Sequence, residues 1–165
     1  MDQLLEAEIP ALRRYALSLC REPSEADDLV QDCLEKAISR WSSRRQEASL
    51  RAWLLTIMRN LFISGRRQRA RRGWHGTLDE AEHAGVEATQ EGGLQMRDIA
   101  AALAALPREQ REVILLVTVE DLSYDETAQV LGVPIGTVMS RLSRARERLR
   151  RLVEGALVVS PGNVR

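Results

Sequence analysis

Residues 123–150 read SYDETAQVLGVPIGTVMSRLSRARERLR, and the fold turns on this stretch. Ser123 and Glu126 have the spacing of a capping box, in which the serine oxygen accepts from the Glu126 amide and the glutamate accepts from the Ser123 amide. The short helix that follows, through Val130 and Leu131, meets Gly132, where a left-handed C-cap is expected, and Pro134 restarts the chain. A second helix should begin near Ile135. Small Ala128 stands where two helices must approach closely, and Val138 stands where the second packs back. Cap, small residue, turn glycine and apolar contact together are the spacings of a helix-turn-helix, with an ordinary pair of antiparallel helices as the plainer alternative. The second helix would present its N-terminal end to a major groove, with Thr137, Ser140, Arg141 and Arg144 facing bases or phosphates and Arg146 lying further along. Val138 and Leu142 read as core. Met139, apolar among polar neighbours, is open to packing or to contact with a thymine methyl.

The rest of the chain is of the same kind. Its 165 residues suffice for one ordinary domain or two small ones. Leu, Ala, Arg, Glu and Gln predominate and β-branched residues never alternate over a long run, so the fold class is all-α. Apolar residues recur at three to four between Asp2 and Cys20, despite Pro10. A second stripe runs through Ala26, Leu29, Val30, Cys33, Leu34, Ala37, Ile38 and Trp41, and Ser24 with Asp27 resembles a capping box at its start. Residues 42–49 read as a loop. A third stripe, from Leu50 to Phe62, runs out into Arg66, Arg67, Arg69, Arg71 and Arg72. After a polar stretch the helical pattern resumes through Ile99, Leu103 and Leu106, with Pro107 in a favoured first-turn position of the next helix. The expected organisation is two small helical domains, 1–72 and 94–155, joined by an acidic, glycine-containing flexible linker at 73–93 and followed by a tail at 156–165.

A formal net charge of zero hides segregation. Residues 36–72 carry eleven basic side chains against Glu47, and residues 137–151 carry six arginines against Glu147, whereas residues 22–35 carry six acids and no base. Two basic blocks suit a polyanion met at two places, and the acidic blocks suit a protein partner or self-screening. Arg supplies 23 of the 24 basic residues, which favours bidentate phosphate and base contacts. Cys20 and Cys33 lack metal spacing and sit on apolar stripes, so both read as buried reduced thiols. No side-chain constellation suggests catalysis, a cofactor or a metal site, and no segment has the length of a membrane span or the pattern of a signal peptide. The chain reads as cytoplasmic and non-enzymatic.

Three segments carry a resemblance. EADDLVQDCLEKAISRW (25–41), LRAWLLTIMRNLFISGRRQR (50–69) and ALAALPREQREVILLVTVEDLSYDETAQVLGVPIGTVMSRLSRARERLR (102–150) resemble, in order, conserved regions 2 and 4 of the extracytoplasmic-function sigma factors of bacterial RNA polymerase. The opening IPALRRYA and the run GTVMSRLSRARE look closest to the alphaproteobacterial general-stress branch. The resemblance implies a first domain that binds the β′ clamp helices of the polymerase core through Asp27, Asp28, Leu29, Gln31 and Asp32. The same domain would capture the exposed minus 10 strand through Arg59 and Asn60, with Arg66 and Arg67 along the phosphates and the 42–49 loop holding a flipped base. It implies a second domain that reads the minus 35 duplex and touches the β flap, and an anti-sigma factor as regulator. Trp41 and Trp53 are open to base stacking or core packing. Ser64 replaces a frequent Asp and Met139 a frequent basic residue, which bears on promoter preference. No sensory extension is expected beyond the second domain. The alternatives are a stand-alone helix-turn-helix regulator, which leaves the acidic helix unexplained, and a sigma-like decoy for an anti-sigma factor, which would have no need of DNA-reading arginines.

Overall fold

The computed structural model describes residues 2–20, 22–44, 49–71 and 94–159, with the backbone alone described at 94–98 and 155–159. Among these residues all regular structure is helical. The first half holds α1 (Asp2–Leu19), α2 (Pro23–Ser39) and α3 (Leu50–Arg71), with a tight turn at Trp41–Ser43. The second holds α4 (Leu94–Ala104), α5 (Arg108–Ile114), α6 (Tyr124–Leu131) and α7 (Ile135–Val159). Helix α7 runs past residue 155, and residues 73–93 lie outside the described residues.

Two helix starts differ from expectation. Helix α2 begins at Pro23, with Glu22 extended before it and no side-chain cap, so Ser24 lies inside the first turn. Proline explains this: its ring presets the helical φ, and its missing N–H would have been unpaired there anyway. Pro107 stands just before α5 rather than in its first turn, with ψ 143°. A cap appears where only a loop was expected, since Ser49 Oγ accepts from the Ala52 amide at 3.2 Å at the start of α3.

The helix-turn-helix is built as the sequence predicts. Ser123 N donates to Glu126 Oε2 at 2.8 Å and Glu126 N donates to Ser123 Oγ at 3.2 Å, which closes the capping box. Gly132 adopts φ 64°, a conformation that a Cβ would strain. The Val133 amide reaches back to Ala128 O at 3.1 Å, the long bond of a Schellman ending. Val138, Leu142 and Ala145 turn the buried side of α7 into the core.

Between α5 and α6 the helix widens by one residue. Glu120 N bonds to Leu115 O at 3.0 Å, an i to i−5 bond, and Asp121 follows at φ 56°. The widened turn points Glu120 at the first half. The two helical domains, regions 2 and 4, pack on each other: their buried residues make one continuous cluster, with α3 packed on α6 and α1 against α5. The cause is in α3. Its buried residues Ala52, Leu54, Leu55, Ile57 and Met58 spread over an arc of about 220° at 3.6 residues per turn, wider than the single stripe one packed layer covers.

Candidate polymerase and nucleic-acid interfaces

Helix α7 carries the residues expected to face a major groove. Ser140, Arg144 and Arg146 are exposed and Thr137 is half-buried. The Ser140 hydroxyl donates to Thr137 O at 3.1 Å, which ties it to its own helix. Arg141 is only 20% exposed, because Glu109 of α5 holds its guanidinium at 3.1 Å. Met139 is 53% exposed beside exposed Ile135, which removes the packing alternative for Met139. Further along, Arg150 and Arg151 both pair with Glu147 and hold its carboxyl below the usual range. These distal arginines are thus partly neutralised, whereas Arg144 and Arg146 nearer the turn meet no carboxylate among the described residues.

On α2, Asp27, Asp28, Gln31 and Asp32 form an exposed polar face. Asp27 is 3.1 Å from Arg13, and Gln31 donates to Glu35 at 3.3 Å. Leu29 does not share this face. It is 8% exposed and belongs to the core, as its place on the apolar stripe at three and four residues from Ala26 and Cys33 demands.

Helix α3 separates the residues grouped for the minus 10 strand. Asn60 and Arg67 are exposed, and Arg66 is half-buried with its guanidinium 5.7 Å from the Phe62 ring. Arg59 is turned into the contact between the halves. Its side chain is 16% exposed, and its Nε lies 3.8 Å from Glu112, a carboxylate of α5 that is 2% exposed. Arg108 completes this group, 3.2 Å from Glu112 and 4.8 Å over the Phe62 ring. Tyr15 of α1 is buried beside it, where desolvation, then the Glu112 charge, pushes the phenol well above its ordinary value.

A second carboxylate repeats the arrangement. Glu120, 1% exposed, accepts two bonds from Arg14 of α1 at 2.9 Å each, a bidentate pair. Arg51 of α3 lies 4.0 Å from the same carboxylate and donates to Glu120 O at 3.2 Å, while its Nε donates to Glu8 at 2.6 Å. Arg14, Arg51, Glu112 and Glu120 stand outside the expected site residues. A signal existed, since an acid embedded among Val113, Ile114 and Leu116 is an expensive residue to bury without a cation.

Trp41 and Trp53 meet edge to face, 6.3 Å between centroids, and are half-buried against the core, with Arg44 5.2 Å over Trp41. Residues 45–48 of the expected base-holding loop lie outside the described residues. Cys20 and Cys33 are free and buried, as expected, and burial pushes their thiols up to about 11 and about 12. Among the described residues no helix is long and apolar enough to cross a membrane.

Two family models match the chain, sigma-70 region 4 over residues 96–149 and the sigma2 domain of PhyR over residues 5–59. The ECF RNA polymerase sigma factor EcfG of Rhodopseudomonas palustris is 39% identical over 157 residues, spanning 94% of this chain and 86% of that one. The chain belongs to the ECF sigma factors of RNA polymerase. As a sigma factor it binds the polymerase core and directs it to promoters. HrpL, an RNA polymerase sigma factor of Pseudomonas syringae, is 30% identical over 92% of this chain and 86% of its own length. The sigma factor RpoE of Bartonella quintana, solved in complex with the anti-sigma factor NepR, aligns with 40% identity and a TM-score of 0.79, covering 93% of this chain and 96% of that one. CnrH, solved with the cytosolic domain of CnrY, aligns at 28% identity with a TM-score of 0.66, covering 93% and 87%.

Proposed function

We propose that this sigma factor divides its work by halves, in the cytoplasm, as a non-enzymatic subunit of the general-stress branch. Residues 1–72 contact the core β′ clamp helices and the minus 10 strand. Residues 94–155 contact the minus 35 duplex and the β flap, with 73–93 as the tether and 156–165 as a tail. The single observation that carries the polymerase assignment is the exposed Asp27, Asp28, Gln31 and Asp32 face on α2, an acidic surface that duplex DNA would repel and a protein partner can use. Arg59, Asn60, Arg66 and Arg67 serve the single strand. Thr137, Ser140, Arg141, Arg144 and Arg146 serve the duplex, and exposed Met139 is placed to touch a thymine methyl. An anti-sigma factor is the regulatory partner, by similarity to the relatives solved with NepR and CnrY.

Replacing Asp28 with Arg should weaken core binding at least tenfold, about 1.4 kcal/mol, while leaving duplex binding by α7 unchanged. Competition between labelled and unlabelled sigma for core polymerase measures the first and gel shift the second. Equal loss of both would mean unfolding and sink the assignment. One observation favours a second reading, a sigma-like decoy: the model matching residues 5–59 is named for PhyR, called an anti-anti-sigma factor in its solved complex with NepR. A decoy would fail to support run-off transcription with purified core.

A further inference from the structure

Resting on the reading that Arg141 serves the minus 35 duplex, we propose that Glu109 of α5 is a positioning residue for it. Glu109 fixes the direction of the Arg141 guanidinium, so that this arginine discriminates between base pairs instead of adding one more cation for phosphates. Helical phase supplies the first reason. On α7 the buried line runs through Val138, Leu142 and Ala145, while Met139, Ser140, Ser143 and Arg144 are exposed on the far side. Thr137 and Arg141, four residues apart, are half-buried on the flank between the two. The Arg141 stem therefore leaves α7 sideways, and α7 alone does not decide where its tip points. Glu109 decides it, with Oε1 3.1 Å from Arg141 Nη2. The arginine side chain is 20% exposed and the glutamate 67%, so a carboxylate in solvent holds a guanidinium that is otherwise tucked against the protein.

The other arginines of α7 are held differently. Arg150 and Arg151 pair with Glu147 on their own helix, whereas Arg141 is oriented across the packed contact of α5 and α7. A carboxylate at the edge of a DNA-facing helix costs affinity, since it repels phosphates and neutralises a cation. What it supplies is geometry. A free arginine loses rotamer freedom when it meets a base pair, whereas one already held by a neighbour presents its remaining N–H groups in fixed directions. The guanidinium has five N–H donors, so the bond at Nη2 leaves enough of them for the O6 and N7 acceptors of a guanine, the bidentate contact that distinguishes one base pair from another.

The test uses the full chain assembled with core polymerase. Selection from a promoter library randomised across the minus 35 region reads base preference, and binding to a non-promoter duplex at several salt concentrations reads the number of phosphate contacts. Glu109→Gln keeps the size of the side chain and removes its charge. It should relax preference about tenfold, within the range of one bidentate contact, at the position that Arg141→Ala also relaxes. It should also steepen the salt slope by about one, because Arg141 becomes a free cation. In the Arg141→Ala background the same change should relax nothing further, since Glu109 acts through that arginine. Glu109→Ala covers the case in which the glutamine carbonyl still accepts the bond: a loss of preference in Glu109→Ala alone supports the proposal, and retained preference in both variants overturns it. A merely structural role would weaken every sequence equally, which overturns it too. So does a sharpened preference in Glu109→Gln, the result expected of a carboxylate that only withholds Arg141 from DNA. Failure of the underlying reading shows elsewhere: unchanged preferences in Arg141→Ala would remove Arg141 from the duplex site whatever Glu109 does.

Discussion

Tyr15, Cys20 and Cys33 are weak acids kept protonated by burial, and their chemistry sets how the protein responds to alkali. Cys33 is pushed to about 12 and Cys20 to about 11, by desolvation first in each case, and the Tyr15 phenol also lies above its ordinary value. In an unfolded chain the thiols ionise near 8.5 and the phenol near 10. Above those values the unfolded state has lost protons that the folded state retains. Stability is therefore fully present below about pH 8.5 and falls as pH rises toward the folded values. Urea midpoints measured from pH 7 to 10.5 should decline progressively above pH 9, and Cys33→Ala should flatten part of the decline. A flat profile in the parent protein would show that these groups are not buried. The thiols were legible from their place on apolar stripes. Tyr15 shares the apolar face of α1 with Leu12 and Leu19, but the Glu112 charge that adds to its shift lies nearly a hundred positions away in the chain, beyond the reach of local spacing.

Helix α6 is held from both ends by local chemistry, so its determinants can be tested separately. Ser123→Ala removes a cap bond and leaves the Glu126 amide unpaired, at an expected cost of about 1 kcal/mol. Gly132→Ala meets open space but must adopt φ 64°, which costs about 1–2 kcal/mol from backbone strain alone. Chemical denaturation of the single and double variants should give additive losses, since the sites lie at opposite ends of the helix. Strong non-additivity would mean that α6 frays as a unit. The helix-turn-helix was readable because caps and turn are set by residues within a few positions of one another. The widened turn at Leu115–Val119 was not. It is decided by where Glu120 must point, a requirement imposed by Arg14 and Arg51 in the other half.

The continuous core makes the whole molecule one cooperative body. Truncating Leu116, fully buried in the second half, should cost about 2–5 kcal/mol and should speed hydrogen exchange in α3 as well as in α5 and α6. Unchanged exchange in α3 would show that the halves fold independently. By itself the sequence determined the all-α class, the helices and the helix-turn-helix, because each depends on spacing along a few turns. It also carried the family, in three segments whose residues lie next to one another in the chain. Only the tertiary structure decided that Glu109 holds Arg141 and that Arg59 lies in the contact between the halves. The physical reason is that a buried charge is tolerated only where a counter-charge meets it. Arg59 and Glu112, Arg14 and Glu120 come from opposite halves, and local spacing along the chain says nothing about which of them meet.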